Sequence, residues 1–280
     1  MKATTLIAVA LTVTGSIGLC LLARPFLLRK AARRPWFTYS CSQLSAADYG
    51  KLAARPGWAK NLVEISPTVR LNGLTRRPRS KNAPWLLYYP GNDIHQLAMG
   101  QAFLERVSAD HDWGLAVFSY RGYDSSTGTP SPEVMASDGA KVLEHLVHFE
   151  RVDPAQLHVL AFSLGGYVAV NGIRATNMPI ATLILFSSVA EAEMVWSGWA
   201  ARISVGDVYR TVPALGSVSC PVLVLHGSAD LAIPIEQGRQ IAAKLSHARF
   251  EEITGAEHLL IQNEQAIDTA RRYLEDALNR

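Results

Sequence analysis

Three side chains in this 280-residue chain could together make an activated nucleophile: Ser163, Asp230 and His258. A serine hydroxyl is a poor nucleophile at neutral pH, so it needs a base to take its proton and an acid to orient that base. The apolar run 157–162 leads straight into Ser163, and a helical pattern starts at once with Leu164-Gly165-Gly166. A serine on so tight a strand-to-helix turn needs small neighbours, and Ala161 and Gly165 supply them two residues to either side. Asp230 closes the turn after a second apolar run, in His226-Gly227-Ser228-Ala229-Asp230, with Ile233-Pro234 beyond. His258 follows a third run, in Gly255-Ala256-Glu257-His258. Taken singly, each has an ordinary alternative as a turn, loop or cap residue. The order Ser, Asp, His, each after its own strand, raises all three together.

Acyl transfer also needs two N–H donors aimed at the developing oxyanion. One is the backbone N–H of Leu164, at the start of a helix whose positive dipole end faces the hydroxyl. The other is assigned to Asn92 in Pro90-Gly91-Asn92, at the end of the run 85–89; a plain Gly-Asn turn is the alternative.

These residues require a scaffold that brings several strand ends together. Candidate strands fall at 62–65 with 68–71, then 85–89, 115–119, 157–162, 183–186, 222–225 and 250–253. Several are continuous Leu/Val/Ile runs, as expected for strands covered on both faces. Helical patterns lie between them, at 98–109, 132–149, 164–174, 235–245 and 258–279. Such alternation predicts an α/β fold: a mostly parallel central sheet, helices on both faces, and chemistry at the carboxyl ends of the strands. The stretch 187–219 breaks the rhythm and carries Met194, Trp196, Trp199 and Tyr209. It reads either as a small lid over the strand ends or as one crossover helix with a long loop.

With those blocks in place the sequence resembles the α/β-hydrolase superfamily, in the branch of lipase- and serine-aminopeptidase-like hydrolases. The blocks stand here as PGN (90–92), YRGYDSSTGTPSPE (120–133), AFSLGG (161–166), HGSADLAIP (226–234) and GAEH (255–258). The resemblance implies Ser163 as nucleophile, His258 as general base and Asp230 as its orienter. Two positions depart from the family pattern. Pro90 replaces the usual His before Gly91, so the oxyanion loop must be supported from elsewhere. Ala161 replaces the usual Gly of the elbow and tightens that turn. The expected activity is cleavage of carboxylic esters or thioesters, with an apolar acyl chain, through an acyl-enzyme. Amide or peptide cleavage by the same fold, or a non-catalytic binding module that keeps it, are the alternatives.

The N-terminus is of another kind. Residues 5–23 carry no charge, and 19 residues of helix reach about 28 Å, close to a bilayer core. Residues 1–34 therefore read as one transmembrane helix with a basic flank, 35–60 as a linker or extension, and 61–280 as the hydrolase domain. A cleaved signal peptide is the alternative, although Leu21 makes a poor cleavage site after Ala23. Five basic residues follow the span and one precedes it, so the positive-inside rule favours the cytoplasmic face; a signal-like segment leading an exported domain would reverse that. The expectation is thus a single-pass membrane protein acting on a small-molecule or lipid-like acyl substrate, with its oligomeric state open.

Charge and composition exclude several other classes. Lys and Arg total 27, six of them in residues 1–34; the other 21 face 24 Asp and Glu. That body is a poor nucleic-acid binder, and the basic run 76–81 reads as a solvated loop. A chain 49% hydrophobic and 18% charged is neither disordered nor a coiled coil. No phosphate-binding glycine motif occurs, so no cofactor is expected. His145 and His148 lie three apart on a helix, yet no nearby carboxylate completes a metal site, so no metal is expected either. Three cysteines (Cys20, Cys41, Cys220) exclude a disulfide-stapled fold, and a Cys41–Cys220 bond would require an exported body.

Overall fold

From the N-terminal side the chain forms helix α1 (Ala46–Ala53) and then a long antiparallel hairpin, β1 (Trp58–Ser66) with β2 (Val69–Arg76). The alternating units follow: β3 (Trp85–Tyr89), α2 (Gln96–Ser108), β4 (Gly114–Phe118), α3 (Pro132–His148), β5 (Leu157–Phe162), α4 (Leu164–Thr176) and β6 (Thr182–Phe186). The last units are β7 (Val222–Gly227), α5 (Ile235–Ala243), β8 (Ala248–Ile253) and α6 (Glu264–Leu278). The structure, a computed structural model, describes residues 43–93, 95–109, 111–191 and 209–279. The expected membrane span at 5–23, Cys20, Cys41 and residues 192–208 of the expected lid lie outside them. Among the described residues no helix is long and apolar enough to cross a membrane.

The strands make one eight-stranded sheet in the order β1-β2-β4-β3-β5-β6-β7-β8. Pairing is antiparallel at β1/β2 and β2/β4 and parallel from β4 to β8. Every residue of β3, β4, β5, β6 and β7 is buried, which is why their sequences are continuous apolar runs rather than alternating ones. The two faces of β5 feed two separate cores. Leu157, Val159 and Ala161 pack with Met135 and Leu143 of α3 and Val168 of α4. Leu160 and Phe162 pack with Phe103 of α2 and Ile267 and Leu274 of α6.

Local signals set the helix ends. Ser131 caps α3 by accepting the Val134 N–H, with Pro132 at the first helical position. Asn263 caps α6 by accepting the Ala266 N–H. That cap moves the start of α6 beyond His258, which the helical pattern had placed at the helix start; a short 3-10 turn, Leu260–Gln262, fills the gap. Helix α1 and the first residues of β1 occupy the stretch read as a linker. The expected strand pair 62–65 and 68–71 extends at both outer ends. Of the region read as a lid, the described flanks join through a Glu191–Arg210 bridge, and Val212–Ser217 forms a 3-10 helix.

Candidate active site

Ser163 sits between β5 and α4 with φ 54° and ψ −117°, a backbone region that side-chain-bearing residues rarely adopt. Such a residue costs of order 1–3 kcal/mol and persists only when its surroundings hold it. Here the Ser163 N–H donates to the Phe186 carbonyl at 2.9 Å, and the Gly166 N–H donates to the Ser163 carbonyl at 3.1 Å. Close approach of α4 to the end of β3 fixes the next turn. A Cβ on Gly165 would lie 2.1 Å from the Tyr89 carbonyl oxygen, so no side chain fits there.

The three sequence-predicted side chains meet at the carboxyl ends of β5, β7 and β8. His258 Nε2 lies 3.2 Å from Ser163 Oγ, and His258 Nδ1 lies 2.8 Å from Asp230 Oδ2. Asp230 Oδ1 accepts the backbone N–H groups of Ala232 at 2.9 Å and Ile233 at 2.8 Å. Burial alone would raise the Asp230 carboxyl. Hydrogen bonds from His226, His258 and the Ile233 N–H outweigh it and hold the group well below the usual carboxylate range. Asp230 is therefore a fixed anion facing one imidazole nitrogen while the other nitrogen faces the hydroxyl. Ser163 and Asp230 are buried and His258 is partly exposed, with its ring against the Phe162 ring at 4.9 Å.

The loop 90–92 ends β3 beside this group, and its support comes from side chains that the missing His does not supply. The Tyr120 hydroxyl donates to the Pro90 carbonyl at 2.7 Å. Gln96 donates from Nε2 to the Gly91 carbonyl at 2.9 Å and accepts the Tyr120 N–H on Oε1 at 3.0 Å. The Tyr123 hydroxyl donates to Asn92 Oδ1. Gln96 and Tyr123 are fully buried and Tyr120 nearly so. Tyr120 and Tyr123 stand in the YRGYD block, so the motif that drew attention by resemblance works here as a strap. No sequence pattern points to Gln96, whose role depends on where α2 begins.

Asp93, next along the same loop, was not singled out from sequence. Its Oδ2 is buried without a hydrogen-bond partner. Burial pushes its carboxyl up to about 6, only partly offset by the Gly91 N–H and by His258. A carboxyl whose folded pKa lies above its unfolded value costs stability when ionised, and that cost is relieved as pH falls through the folded pKa. Asp93→Asn is therefore expected to raise Tm at pH 7.5, by a free energy of at most about 3 kcal/mol. The gain should shrink as pH falls through about 6 toward 4. Thermal melts of both proteins across that range check it, and a pH-independent difference would contradict it.

Other candidates take structural parts. His145 Nε2 contacts Asn61 Oδ1 at 3.0 Å, and Asn61 in turn donates to Glu150 at 2.8 Å. In the basic run, Arg77 pairs with Glu150 at 2.7 Å. Cys220 is buried with a free thiol. Among the described residues no group of three or more His, Cys, Asp or Glu side chains could hold a metal ion.

No family model matches the chain. It is 34% identical over 182 residues to an uncharacterized protein of Mycobacterium tuberculosis, covering 61% of this chain and 64% of that relative. It is 27% identical over 200 residues to lysophosphatidylserine lipase ABHD12 of Danio rerio, covering 60% of this chain and 52% of the relative. The chain thus spans less than two thirds of the length of these relatives. Its fold is similar to that of Est1E from Butyrivibrio proteoclasticus with ferulic acid bound, with a TM-score of 0.66 at 14% identity, and to that of the esterase Pf2001 of Pyrococcus furiosus, with a TM-score of 0.63 at 13% identity. The first match covers 79% of this chain and 100% of Est1E, the second 85% of this chain and 94% of the esterase. The chain has the α/β-hydrolase fold.

Proposed function

We propose that this protein is a serine hydrolase that cleaves carboxylic esters or thioesters with apolar acyl chains through an acyl-enzyme. The observation that carries this is the contact chain Ser163 Oγ, His258 Nε2, His258 Nδ1, Asp230 Oδ2, at 3.2 and 2.8 Å. In the first half-reaction Ser163 Oγ attacks the acyl carbonyl and His258 Nε2 takes its proton. The leaving alcohol or thiol then receives that proton, and the Ser163 ester remains. Water attacks this ester with His258 again as base, and the acid and the free hydroxyl are released. Asp230 holds the Nδ1–H tautomer and stabilises the imidazolium.

The oxyanion is held by the N–H of Leu164, which opens α4 and so has no intrahelical acceptor, and by the N–H of Asn92. The straps from Gln96, Tyr120 and Tyr123 keep the second donor in place. Tyr120→Phe removes the bond to the Pro90 carbonyl while keeping the ring. Its turnover is expected to fall about 3- to 10-fold with little change in KM, since the lost interaction supports the transition state. Steady-state kinetics on a soluble ester check this, and an unchanged kcat would remove Tyr120 from the account.

The test of the activity itself is a series of p-nitrophenyl esters from acetyl to dodecanoyl beside the matching anilides. Ester turnover that improves with chain length is the expected result; faster anilide cleavage would favour an amidase. The likeness to the Pyrococcus furiosus esterase and to the lysophosphatidylserine lipase of Danio rerio supports the ester reading. The uncharged run 5–23 supports a membrane-tethered body near lipid-like substrate, with its basic flank on the cytoplasmic side. Carbonate-resistant membrane association that is lost on deleting residues 1–34 is the expected readout. Neither a cofactor nor a nucleic-acid partner enters this scheme.

A further inference from the structure

We infer that His226 is a positioning residue for the Asp230 carboxylate, a second imidazole that fixes the acid from the side away from His258; this rests on the hydrolase reading above. His226 is the penultimate residue of β7 and is fully buried. Its Nε2 lies 2.9 Å from the Ile233 carbonyl oxygen and 3.4 Å from Asp230 Oδ2. A carbonyl oxygen only accepts, so Nε2 carries the hydrogen and donates it to Ile233, with Asp230 Oδ2 beside the same N–H at 3.4 Å. His226 Nδ1 has no hydrogen-bond partner.

The ring cannot turn away from this arrangement. Behind it, a Cβ placed on Gly238 of α5 would lie 2.6 Å from Nδ1, so the helix backbone closes on the imidazole. In front, Ile233 is bonded twice, its carbonyl accepting from His226 and its N–H donating to Asp230 Oδ1 at 2.8 Å. The turn 227–233 is thereby closed on itself around the carboxylate. Asp230 Oδ1 accepts from Ala232 and Ile233, and Oδ2 faces His258 and His226. With donors on both oxygens the carboxylate plane is set, and with it the direction of the bond to His258 Nδ1.

Packing alone does not account for this residue. The residues before it in β7 are Val222, Leu223, Val224 and Leu225, and a leucine would fill the place without burying an unpartnered ring nitrogen. A buried polar atom left without a partner lowers stability. What the imidazole adds is one N–H bonded to the carbonyl that anchors the loop and set 3.4 Å from the triad carboxylate. A polar group that orients an acting side chain from behind works through geometry, so its loss should slow the chemical step more than binding.

The experiment uses the full chain and a fluorophosphonate probe. It compares the wild type with His226→Leu, His226→Gln and His226→Asn. The labelling amplitude counts intact sites, and the saturating labelling rate reports how well Ser163 is activated. His226→Leu is expected to keep most of the amplitude and the half-saturating probe concentration but to label about 10-fold more slowly. His226→Gln, which keeps an N–H of similar reach, should recover to within about 3-fold of wild type. A merely structural role would lower amplitude and Tm while leaving the rate per labelled site unchanged, and that result overturns the inference. So does a Gln variant as slow as Leu. If the Leu variant does not fold, Asn, too short to reach both oxygens, takes its place against Gln with the same expectation. A folded wild type that never labels overturns the hydrolase reading and this inference with it, whereas normal wild-type labelling with an unaltered His226→Leu rate overturns this inference alone.

Discussion

Ser163→Ala is expected to reduce ester turnover by at least about 10⁴-fold, to the level left by binding and oxyanion stabilisation alone. Only the Oγ is removed. The strained backbone at Ser163 stays as it is, because alanine meets the same φ penalty as serine, and the bond from its N–H to Phe186 does not involve the side chain. His258 Nε2 loses its neighbour at 3.2 Å but remains partly exposed, so water can replace the hydroxyl. The fold should therefore survive, with Tm close to wild type. Loss of turnover in a folded protein separates nucleophile from structural residue. Substantial turnover in the alanine variant would assign the chemistry elsewhere.

Asp230→Asn carries the second large effect, expected at about 10³- to 10⁴-fold in kcat. The substitution keeps the volume but removes the charge that faces His258 Nδ1, and an amide N–H turned toward that nitrogen would favour the wrong imidazole tautomer. Stability should change in a pH-dependent way. The Asp230 carboxyl is held below its ordinary value, so it stabilises the fold above about pH 4 and that contribution is lost as pH falls further. The asparagine variant should accordingly melt lower than wild type at pH 7, with the gap closing as the medium is acidified below about pH 4. Equal kcat in the two proteins would remove Asp230 from the mechanism.

The parts of the fold that were legible in the sequence are those set by burial. Strands β3 and β5 end where continuous apolar runs meet Pro90 and Ser163, and their limits coincide with those read from sequence. The order of Ser163, Asp230 and His258 was readable because each follows its own strand, and parallel strands bring their carboxyl ends together. Helix α1 was not readable, since it is short and buries no residue fully, with only Tyr49, Leu52 and Ala53 packing partly against the core; Ser45, accepting the Asp48 N–H, marks its start. Strand β1 was cut short for a related reason. As an edge strand it has few buried positions, and Lys60 and Asn61 interrupt the apolar signal before Leu62.

The supporting shell of the site was invisible for a different reason. Gln96 reaches Gly91 and the Tyr120 N–H only because α2 begins beside the end of β3. His226 reaches Asp230 only because the turn 227–233 folds back over β7. His226 and Asp230 do stand four apart in the block 226–234, but nothing in that spacing says that the imidazole turns toward the carboxylate. The functional types were legible one by one, while the groups that aim them depend on loops closing in three dimensions.

The most direct test of the central claim is fluorophosphonate labelling of the purified chain, with the modified residue located by peptide mass spectrometry. A single adduct on Ser163, absent after His258→Ala or prior heating, is the result expected of a hydroxyl activated by its neighbours. A folded wild type that stays unlabelled, or an adduct on another serine, would contradict it.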